Sequence, residues 1–302
     1  MESDDWVIRP YDSAWAAALS AGWRAAQPEH SQTARELDNR CRALLQMNGR
    51  IWTLLVNGQA AGMALAGPVP GLPSLFELDG FVAPAWQRRG WGGRLLARVK
   101  ADMAAVGGAS VGGTAVDQLS HAVTDMDSPA AHFLRQNGFA VEHEEWLLLK
   151  PDLTPGAPPS HPELTWGTLP RAPAIHQFCA LYDRSFAPFP WYQPYTAPEA
   201  AAELAEARDL LFLRRGAVFI GFAWLRWPDE GVGQIEPMGI VAGEQGQGYG
   251  RYLLNVALHQ LAQRGATQAQ IGTWVENETA VALYQSVGFR HQETITYLAC
   301  TV

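Results

Sequence analysis

The sequence contains few cysteines, and none of them has the spacing of a metal site. Cys41, Cys179 and Cys300 are the three cysteines among 302 residues. An odd number without a CxxC pair indicates neither a disulfide framework nor a structural zinc site. We therefore interpret all three as reduced, buried thiols of a cytoplasmic protein and expect no bound metal.

Basic residues are also scarce. The chain has 22 Lys and Arg against 30 Asp and Glu, which gives a formal net charge of −8. Proteins that bind nucleic acid need a basic surface to neutralise phosphates, so we expect no nucleic-acid partner. An acidic protein suits a small cationic substrate better.

Long apolar runs are missing as well. No run approaches the roughly 18 residues that span a bilayer. The first five residues, Met1 to Asp5, are acidic where a signal peptide would be basic. We therefore expect no membrane partner and a cytoplasmic location.

What the sequence does contain is a repeat. The glycine-rich segment Gln87–Leu96 recurs as Gln245–Leu254, and the segment Ala131–Phe139 is answered by Val281–Phe289. Two motifs that recur in the same order indicate a duplicated domain. A chain of 302 residues is long enough for two such domains of about 150 residues each.

A proline-rich segment separates the two copies. Prolines at 155, 158, 159 and 162 cannot continue a helix or a central strand. We predict an N-terminal domain over residues 1–152, a linker over 153–162 and a C-terminal domain over 163–302.

Hydrophobic periodicity predicts the same order of elements in both halves. A strand, two helices, a hairpin, another strand and an amphipathic helix follow one another, with Ser13 as a possible cap of the first helix and Asn57-Gly58 as a hairpin turn. We interpret the segment Gln118–His121 as part of a longer loop. The predicted fold class is α/β (α+β), with a mixed, mainly antiparallel sheet flanked by helices in each domain.

The glycine motifs predict sites for an anion. Each copy follows an apolar strand and opens an amphipathic helix, where unpaired N–H groups lie at the positive end of the helix dipole. The string Gly246-Gln247-Gly248-Tyr249-Gly250 also resembles part of a dinucleotide fingerprint. However, the acidic residue expected about 20 positions later is missing, since Arg264-Gly265-Ala266 stands there.

Two motifs together resemble one family. The pattern Gln-x-x-Gly-x-Gly before a helix resembles the pyrophosphate loop of the GNAT superfamily of N-acyltransferases. Residues 277–289 match the second GNAT motif, Asn-x-x-Ala-x-x-Leu-Tyr-x-x-x-Gly-Phe, at every fixed position. The tandem arrangement looks like that of the mycothiol-synthase type of double GNAT.

The resemblance implies an N-acetyltransferase that uses acetyl-CoA and a small-molecule primary amine as the acceptor. It places acetyl-CoA in the second copy at Ile240, Val241, Gln245, Gly246, Gln247, Gly248, Tyr249, Gly250, Arg251, Asn277 and Tyr284. The corresponding residues of the first copy are Val82, Gln87, Arg88, Arg89, Gly90, Trp91, Gly92 and Gly93. The oligomeric state does not follow from the sequence.

The same resemblance implies catalytic roles for Tyr284 as general acid and Glu236 as general base. Leu134 stands where the first copy would need the tyrosine, and it has no proton to transfer. Although Glu77 and Asp79 supply carboxylates to the first copy, we assign catalysis to the C-terminal domain. The first domain is expected to be catalytically degenerate and to bind the cofactor, whether or not that binding has an effect.

Acceptor recognition in this family falls to the region between the first two helices. Here the region is the aromatic and proline-rich segment Phe186–Tyr195, which could form a wall or a cation–π contact. Two alternatives stay open: a non-catalytic acyl-CoA-binding or regulatory protein, and an acetyltransferase of protein N-termini or lysines.

Overall fold

The protein, studied as a computed structural model, is described over residues 5–30, 32–69, 72–107, 116–189 and 192–302. It divides into two compact units. Unit 1 comprises Met1–Glu142 and Tyr297–Val302, and unit 2 comprises His143–Thr296. The domain boundaries at residues 152 and 163 remain a prediction about the repeats. The compact units differ from the repeats because each one contains the end of a strand from the other repeat.

Unit 1 is a sheet with helices on both faces. Its strands are β1 (Trp6–Pro10), β2 (Arg50–Val56), β3 (Gln59–Val69), β4 (Leu72–Val82) and β5 (Gln118–Val123). Its helices are α1 (Ala16–Ala26), α2 (Ala34–Gln46), α3 (Trp91–Gly107) and α4 (Pro129–Gln136). Strands β1 to β4 pair antiparallel in sequence order, and β5 pairs with β4 in parallel.

Local interactions explain most of these boundaries, and two predictions about them were wrong. Asp12, not Ser13, caps the first helical turn, because its carboxylate accepts from the N–H of Ala14 at 2.9 Å. The segment Gln118–His121 is the start of β5 and not a loop. The predicted hairpin turn is present, with positive φ at both Asn57 and Gly58.

Unit 2 repeats this plan. Strand β6 (Ala140–Lys150) enters it from the first repeat, followed by β7 (Leu164–Gly167), α5 (Arg171–Phe186), α6 (Ala197–Glu203), β8 (Leu210–Arg215), β9 (Val218–Asp229), β10 (Val232–Ile240), α7 (Tyr249–Gln263), β11 (Gln268–Trp274), α8 (Glu278–Ser286) and β12 (Arg290–Thr301). Strands β7 to β10 pair antiparallel, β10 pairs with β11 in parallel, and β11 pairs with β6 antiparallel. The predicted mixed, mainly antiparallel sheet flanked by helices is thus confirmed.

Each unit has its own hydrophobic core. In unit 1, one cluster lies under α3 and α4 and a second one under α1 and α2. In unit 2 a single cluster connects α5, α7 and the sheet, with Phe178, Phe222 and Trp224 among its largest buried side chains. Within the described ranges, no helix is long and apolar enough to cross a membrane.

Candidate active site

The two glycine-rich loops have the same conformation. Gln245 donates its side-chain amide to the carbonyl of Ile240 at 2.9 Å, and Gln87 donates in the same way to Val82 at 2.8 Å. These hydrogen bonds tie each loop to the end of the strand before it. Because the side chains of both glutamines are used in this way, their contribution to a ligand site is to hold the loop in shape.

Backbone angles repeat from loop to loop as well. Gly248 has φ of +83° and Gly90 has φ of +82°, and left-handed residues stand two positions earlier at Gly246 (+75°) and Arg88 (+59°). The left-handed region favours glycine, so Arg88 holds a conformation that side chains seldom adopt. A Cβ added at Gly248 would meet no other atom within 4 Å, which leaves open space beside the loop.

This space suits the diphosphate of a nucleotide cofactor. The first bond of α7 runs from the N–H of Tyr252 to the carbonyl of Gly248, at 3.1 Å. The N–H groups of Tyr249, Gly250 and Arg251 therefore precede the first helical hydrogen bond and lie at the positive end of the dipole. Gln247 and Arg251 are exposed, whereas the ring of Tyr249 is buried and anchors the helix. The residues present thus fit the acetyl-CoA site that the sequence predicts.

Unit 1 surrounds its loop with arginine and tryptophan. Arg89 lies over Trp86 with 5.5 Å between the guanidinium carbon and the ring centroid, and Arg94 lies over Trp91 at 4.7 Å. Trp91 is buried like Tyr249, and Gly93 has open space at its Cβ position. The first loop therefore keeps the shape of a phosphate site and carries more positive charge than the second.

One glycine in the first turn of the helix after each loop lies next to the second motif, and it does so at the same position in both copies. A Cβ at Gly250 would lie 3.4 Å from Leu283, and one at Gly92 would lie 3.3 Å from Phe133. Leu283 and Phe133 thus occupy equivalent places. Their chain neighbours Tyr284 and Leu134 are equivalent in turn, as the sequence alignment predicts.

Glu236 lies in a β-bulge between β9 and β10. Ile235 pairs with Leu225 and Met238 pairs with Ala223, so β10 contains one residue more than its partner between these two pairs. A bulge of this kind re-aims a side chain and bends the strand. The bulge directs the Glu236 carboxylate to the side of β11, where a Cβ at Gly272 would lie 3.4 Å from it.

Strands β10 and β11 separate at this point. Their parallel pairing runs only from Val232–Gln268 to Gln234–Gln270. In the described structure, β10 forms no ladder with β11 from Glu236 onward. The opening leaves backbone groups of β10 available to an extended ligand.

The environment of Glu236 combines access with desolvation. Its side chain reaches solvent, yet the surrounding protein atoms raise the pKa of its carboxyl above the ordinary range. A carboxyl inside an open cleft between separating strands has both properties. Arg226 and the amide of Gln234, which donates to Glu236 Oε2 at 2.7 Å, act in the opposite direction and lower the pKa.

Tyr284 is buried in the core of unit 2, with 6% of its surface exposed. Desolvation raises the pKa of its hydroxyl, and the negative charge of Glu236 raises it further. The charge of one predicted catalytic group thus acts on the hydroxyl of the other. A tyrosine with a raised pKa keeps its proton at neutral pH, as a general acid must.

Two other predicted cofactor residues have structural partners. The side chain of Asn277 caps α8 by accepting from the N–H of Ala280 at 3.3 Å, and Ser128 caps α4 in the same way. Ser128 is therefore the counterpart of Asn277 in unit 1. The N–H of Val241 donates to Ile220 of β9 at 2.9 Å, so this donor is already engaged.

The corresponding cleft of unit 1 is bridged by its own side chains. Asp79 occupies the place of the bulge, and its carboxylate is held by Arg40 at 2.6 Å. Strands β4 and β5 also end their pairing early, at Glu77 and Ser120. Immediately after that pair, Nδ1 of His121 on β5 lies 2.6 Å from the carbonyl of Leu78 on β4. Unit 1 thus lacks both the bulge and the tyrosine, and an imidazole crosses its opening.

An aromatic wall lies near Glu236, and the sequence predicts only part of it. Tyr195, from the predicted segment, packs edge-on against Tyr182 at 5.0 Å between centroids. Tyr192 donates to Asp183 at 2.7 Å, and desolvation is the main cause that raises the pKa of Tyr192 to about 12. Pro190 and Trp191 of that segment lie outside the described residues.

Tyr182, Gln234 and Arg226 are the residues that sequence reasoning missed. The helix of Tyr182, α5, packs against β10, where a Cβ at Gly239 would lie 3.1 Å from Phe186, and the negative charge of Glu236 contributes to the raised pKa of Tyr182. Tyr182 stands four positions before Phe186 on α5, so the helical period could have revealed it. Gln234 and Arg226 depend on the strand register, for which the sequence carries no signal.

Comparisons with known proteins agree with these observations. The family described as "Acetyltransferase (GNAT) family" matches residues 175–289, and "Acetyltransferase (GNAT) domain" matches residues 47–141. A mycothiol acetyltransferase of Cellulomonas flavigena is 30% identical over 257 residues, which covers 79% of this chain and 71% of the relative. The mycothiol acetyltransferase of Thermobispora bispora is 29% identical over 256 residues, covering 80% and 81%.

Among solved structures, a GCN5-related N-acetyltransferase from Sphaerobacter thermophilus has the same fold. The match has a TM-score of 0.71 and 17% identity and covers 98% of this chain and 95% of that one. Both GNAT copies are therefore present in fold as well as in sequence.

Proposed function

The chain belongs to the GNAT family of acetyltransferases and is an N-acetyltransferase with two tandem GNAT domains, and we propose that its second copy transfers an acetyl group from acetyl-CoA to a small-molecule primary amine. The observation that carries this proposal is the bulge at Glu236. It supplies a carboxylate that is accessible, desolvated and electrostatically coupled to Tyr284.

GNAT acetyltransferases generally use acetyl-CoA, and the second loop suits it. The proposed diphosphate contacts are the N–H groups of Tyr249, Gly250 and Arg251, with Gly246 and Gly248 providing close approach. When bound, acetyl-CoA supplies an activated thioester. The opening between β10 and β11 would hold its extended arm, with Ile240 and Asn277 beside it.

Glu236 and Tyr284 then have complementary roles. The acceptor amine must lose a proton to attack the thioester carbon, and the Glu236 carboxylate, with its raised pKa, is the group that takes this proton. The carbon–sulfur bond breaks as the carbon–nitrogen bond forms, and the Tyr284 hydroxyl protonates the departing sulfur. Backbone N–H groups of β10 near Ile240 would stabilise the negative charge that develops on the thioester carbonyl oxygen as the amine attacks.

The first copy is proposed to bind cofactor without catalysing transfer. Its loop keeps the shared conformation, which supports binding. Leu134 in place of Tyr284, the Arg40–Asp79 ion pair and the His121 bridge all count against catalysis there.

For the acceptor, the relatives named mycothiol acetyltransferase suggest the first candidates. We propose a mycothiol-related amine as the initial acceptor to test, within a wider set of amine metabolites.

The three cysteines are free in the described structure and favour a reducing compartment. We accordingly place the reaction in the cytoplasm.

The test is a screen of amines with acetyl-CoA, read by mass spectrometry and by release of free thiol. We expect an acetylated product that gains one acetyl group and depends on both substrates. Glu230→Gln, an equal change of charge at an exposed turn residue between β9 and β10, is the matched control for Glu236→Gln. Binding of acetyl-CoA without turnover of any amine or peptide would favour the non-catalytic alternative instead.

A further inference from the structure

The cation beside the proposed base is Arg226. Its Nε donates to the backbone carbonyl of Glu236 at 3.0 Å, and its charge lowers the pKa of the Glu236 carboxyl. Arg226 is therefore a cation that directly contacts the residue proposed to take the proton of the acceptor amine. A free arginine at such a position would bind the carboxylate of an amino acid.

Arg226, however, is already occupied. A terminal nitrogen of its guanidinium donates to Glu203 at 2.8 Å, on the last residue of α6. Its guanidinium carbon lies 4.5 Å from the centroid of the Trp224 ring. The positive charge is thus balanced by Glu203, and the contacts with Trp224 and with the carbonyl of Glu236 fix the orientation of the guanidinium.

A second carboxylate acts on the same group of tyrosines as the base does. Asp183 directly follows Tyr182 on α5, and its negative charge and that of Glu236 both raise the pKa of the Tyr182 hydroxyl. The surrounding tyrosines Tyr182, Tyr195 and Tyr284 keep their protons, because desolvation raises the pKa of each hydroxyl. An acceptor therefore meets hydroxyl groups, aromatic rings and carboxylates.

We infer that the acceptor is a compound whose amino group has no carboxylate next to it, such as a simple alkylamine, the amide of an amino acid or an amino sugar. We further infer that the Glu203–Arg226 pair excludes free amino acids. This inference rests on the proposed function. An amino acid would bring its carboxylate close to Glu236 without an available cation to balance it. Such a like-charge contact is costly, and we expect at least about a 30-fold preference for the amine.

The first experiment compares matched pairs of acceptors, tyrosine with tyramine and serine with ethanolamine. The members of each pair differ in the carboxylate alone. Calorimetric affinities and kcat/KM are measured for each compound, in the presence of CoA for binding and of acetyl-CoA for turnover. We expect tyramine and ethanolamine to bind at least about 30 times more tightly than their amino acids.

The second experiment releases the arginine. Glu203→Gln removes the charge that balances Arg226, so the preference for the amine should fall by roughly tenfold or more. The double variant Glu203→Gln/Arg226→Gln should lose this gain, because the freed cation is gone. Glu230→Gln, which changes the net charge of the protein by the same amount, should keep the preference of the parent.

The outcomes separate the two proposals. A binding preference for the amine without any turnover would refute the proposed function and leave the selectivity supported. Equal binding of both members of each pair, including no binding of either, overturns the inference. A Glu203→Gln variant that folds, as judged by its circular dichroism, and keeps the parental preference overturns it as well.

Discussion

Glu236→Gln is the substitution whose consequences the structure defines most closely. The amide has almost the size of the carboxyl and can still accept the hydrogen bond that Gln234 donates at 2.7 Å. The bulge should therefore persist, while the group proposed to take the amine proton is lost. Loss of one general base typically lowers the rate by about 100- to 10,000-fold, and we expect kcat/KM to fall within this range.

The dependence of kcat/KM on pH should differ between the parent and Glu236→Gln. Desolvation raises the pKa of Glu236, so in the parent kcat/KM should rise with pH through an acid limb above about 4.3, the ordinary value for glutamate. Glu236→Gln should lack this limb. Its residual activity should grow about tenfold per pH unit as the acceptor amine itself loses its proton, up to the pKa of that amine.

Arg226 provides a second check on the same limb. Its charge lowers the pKa of Glu236, so Arg226→Met should move the acid limb of the parent profile to higher pH. Stopped-flow measurement of thiol release over a range of pH gives both curves. An unchanged acid limb in the Glu236→Gln profile would show that another group titrates and that our assignment of the base is wrong.

The raised pKa of Glu236 also has a thermodynamic consequence. A carboxyl whose folded pKa lies above its unfolded pKa contributes stability below the unfolded value and loses it as the pH rises through the folded value. At neutral pH the ionised Glu236 therefore destabilises the folded protein. Glu236→Gln should raise the melting temperature at pH 7, and a lower value would indicate that Glu236 supports the fold instead.

Further predictions concern the proposed general acid, Tyr284, and the stability contributed by a buried ion pair. Tyr284→Phe should reduce turnover by about 10- to 10,000-fold in single-turnover assays and leave acetyl-CoA affinity nearly unchanged; wild-type turnover would exclude Tyr284 as the acid. Asp209→Ala should lower the free energy of unfolding by about 3 kcal/mol in urea titrations, because Asp209 is 3% exposed and its partner Arg264 at 2.7 Å would keep an unpaired charge. The exposed pair of Arg208 and Glu206 is the control, and Arg208→Ala should change that free energy by less than about 1 kcal/mol; equal effects would contradict this contrast.

The sequence predicts the fold well because both copies carry strong local signals. Alternation, helical periodicity and the Asn57-Gly58 turn each depend on neighbouring residues, and the structure contains the predicted elements in the predicted order. The prediction of a loop over Gln118–His121 was wrong because these few residues form β5 only by pairing with β4, which is distant in sequence.

The candidate site was predictable in part for the same reason. Glycines and the Asn277–Phe289 motif are contiguous, so their spacing can be read directly. The ion pairs of Arg226 with Glu203 and of Arg40 with Asp79, by contrast, join elements whose contact is decided by packing. No local pattern reports such contacts.

The most direct test of the central claim, that transfer takes place in the second copy, compares Gly248→Ala with Gly90→Ala. Both glycines have positive φ and open space at the Cβ position, so the two substitutions impose the same backbone strain, about 1 to 2 kcal/mol. Acetyl-transfer rates and calorimetric titration with acetyl-CoA are measured on both variants and the parent. We predict that Gly248→Ala loses turnover and that Gly90→Ala keeps most of it, each with one binding equivalent fewer than the parent. Loss of turnover in Gly90→Ala with turnover preserved in Gly248→Ala would contradict the account and assign the working site to the first copy.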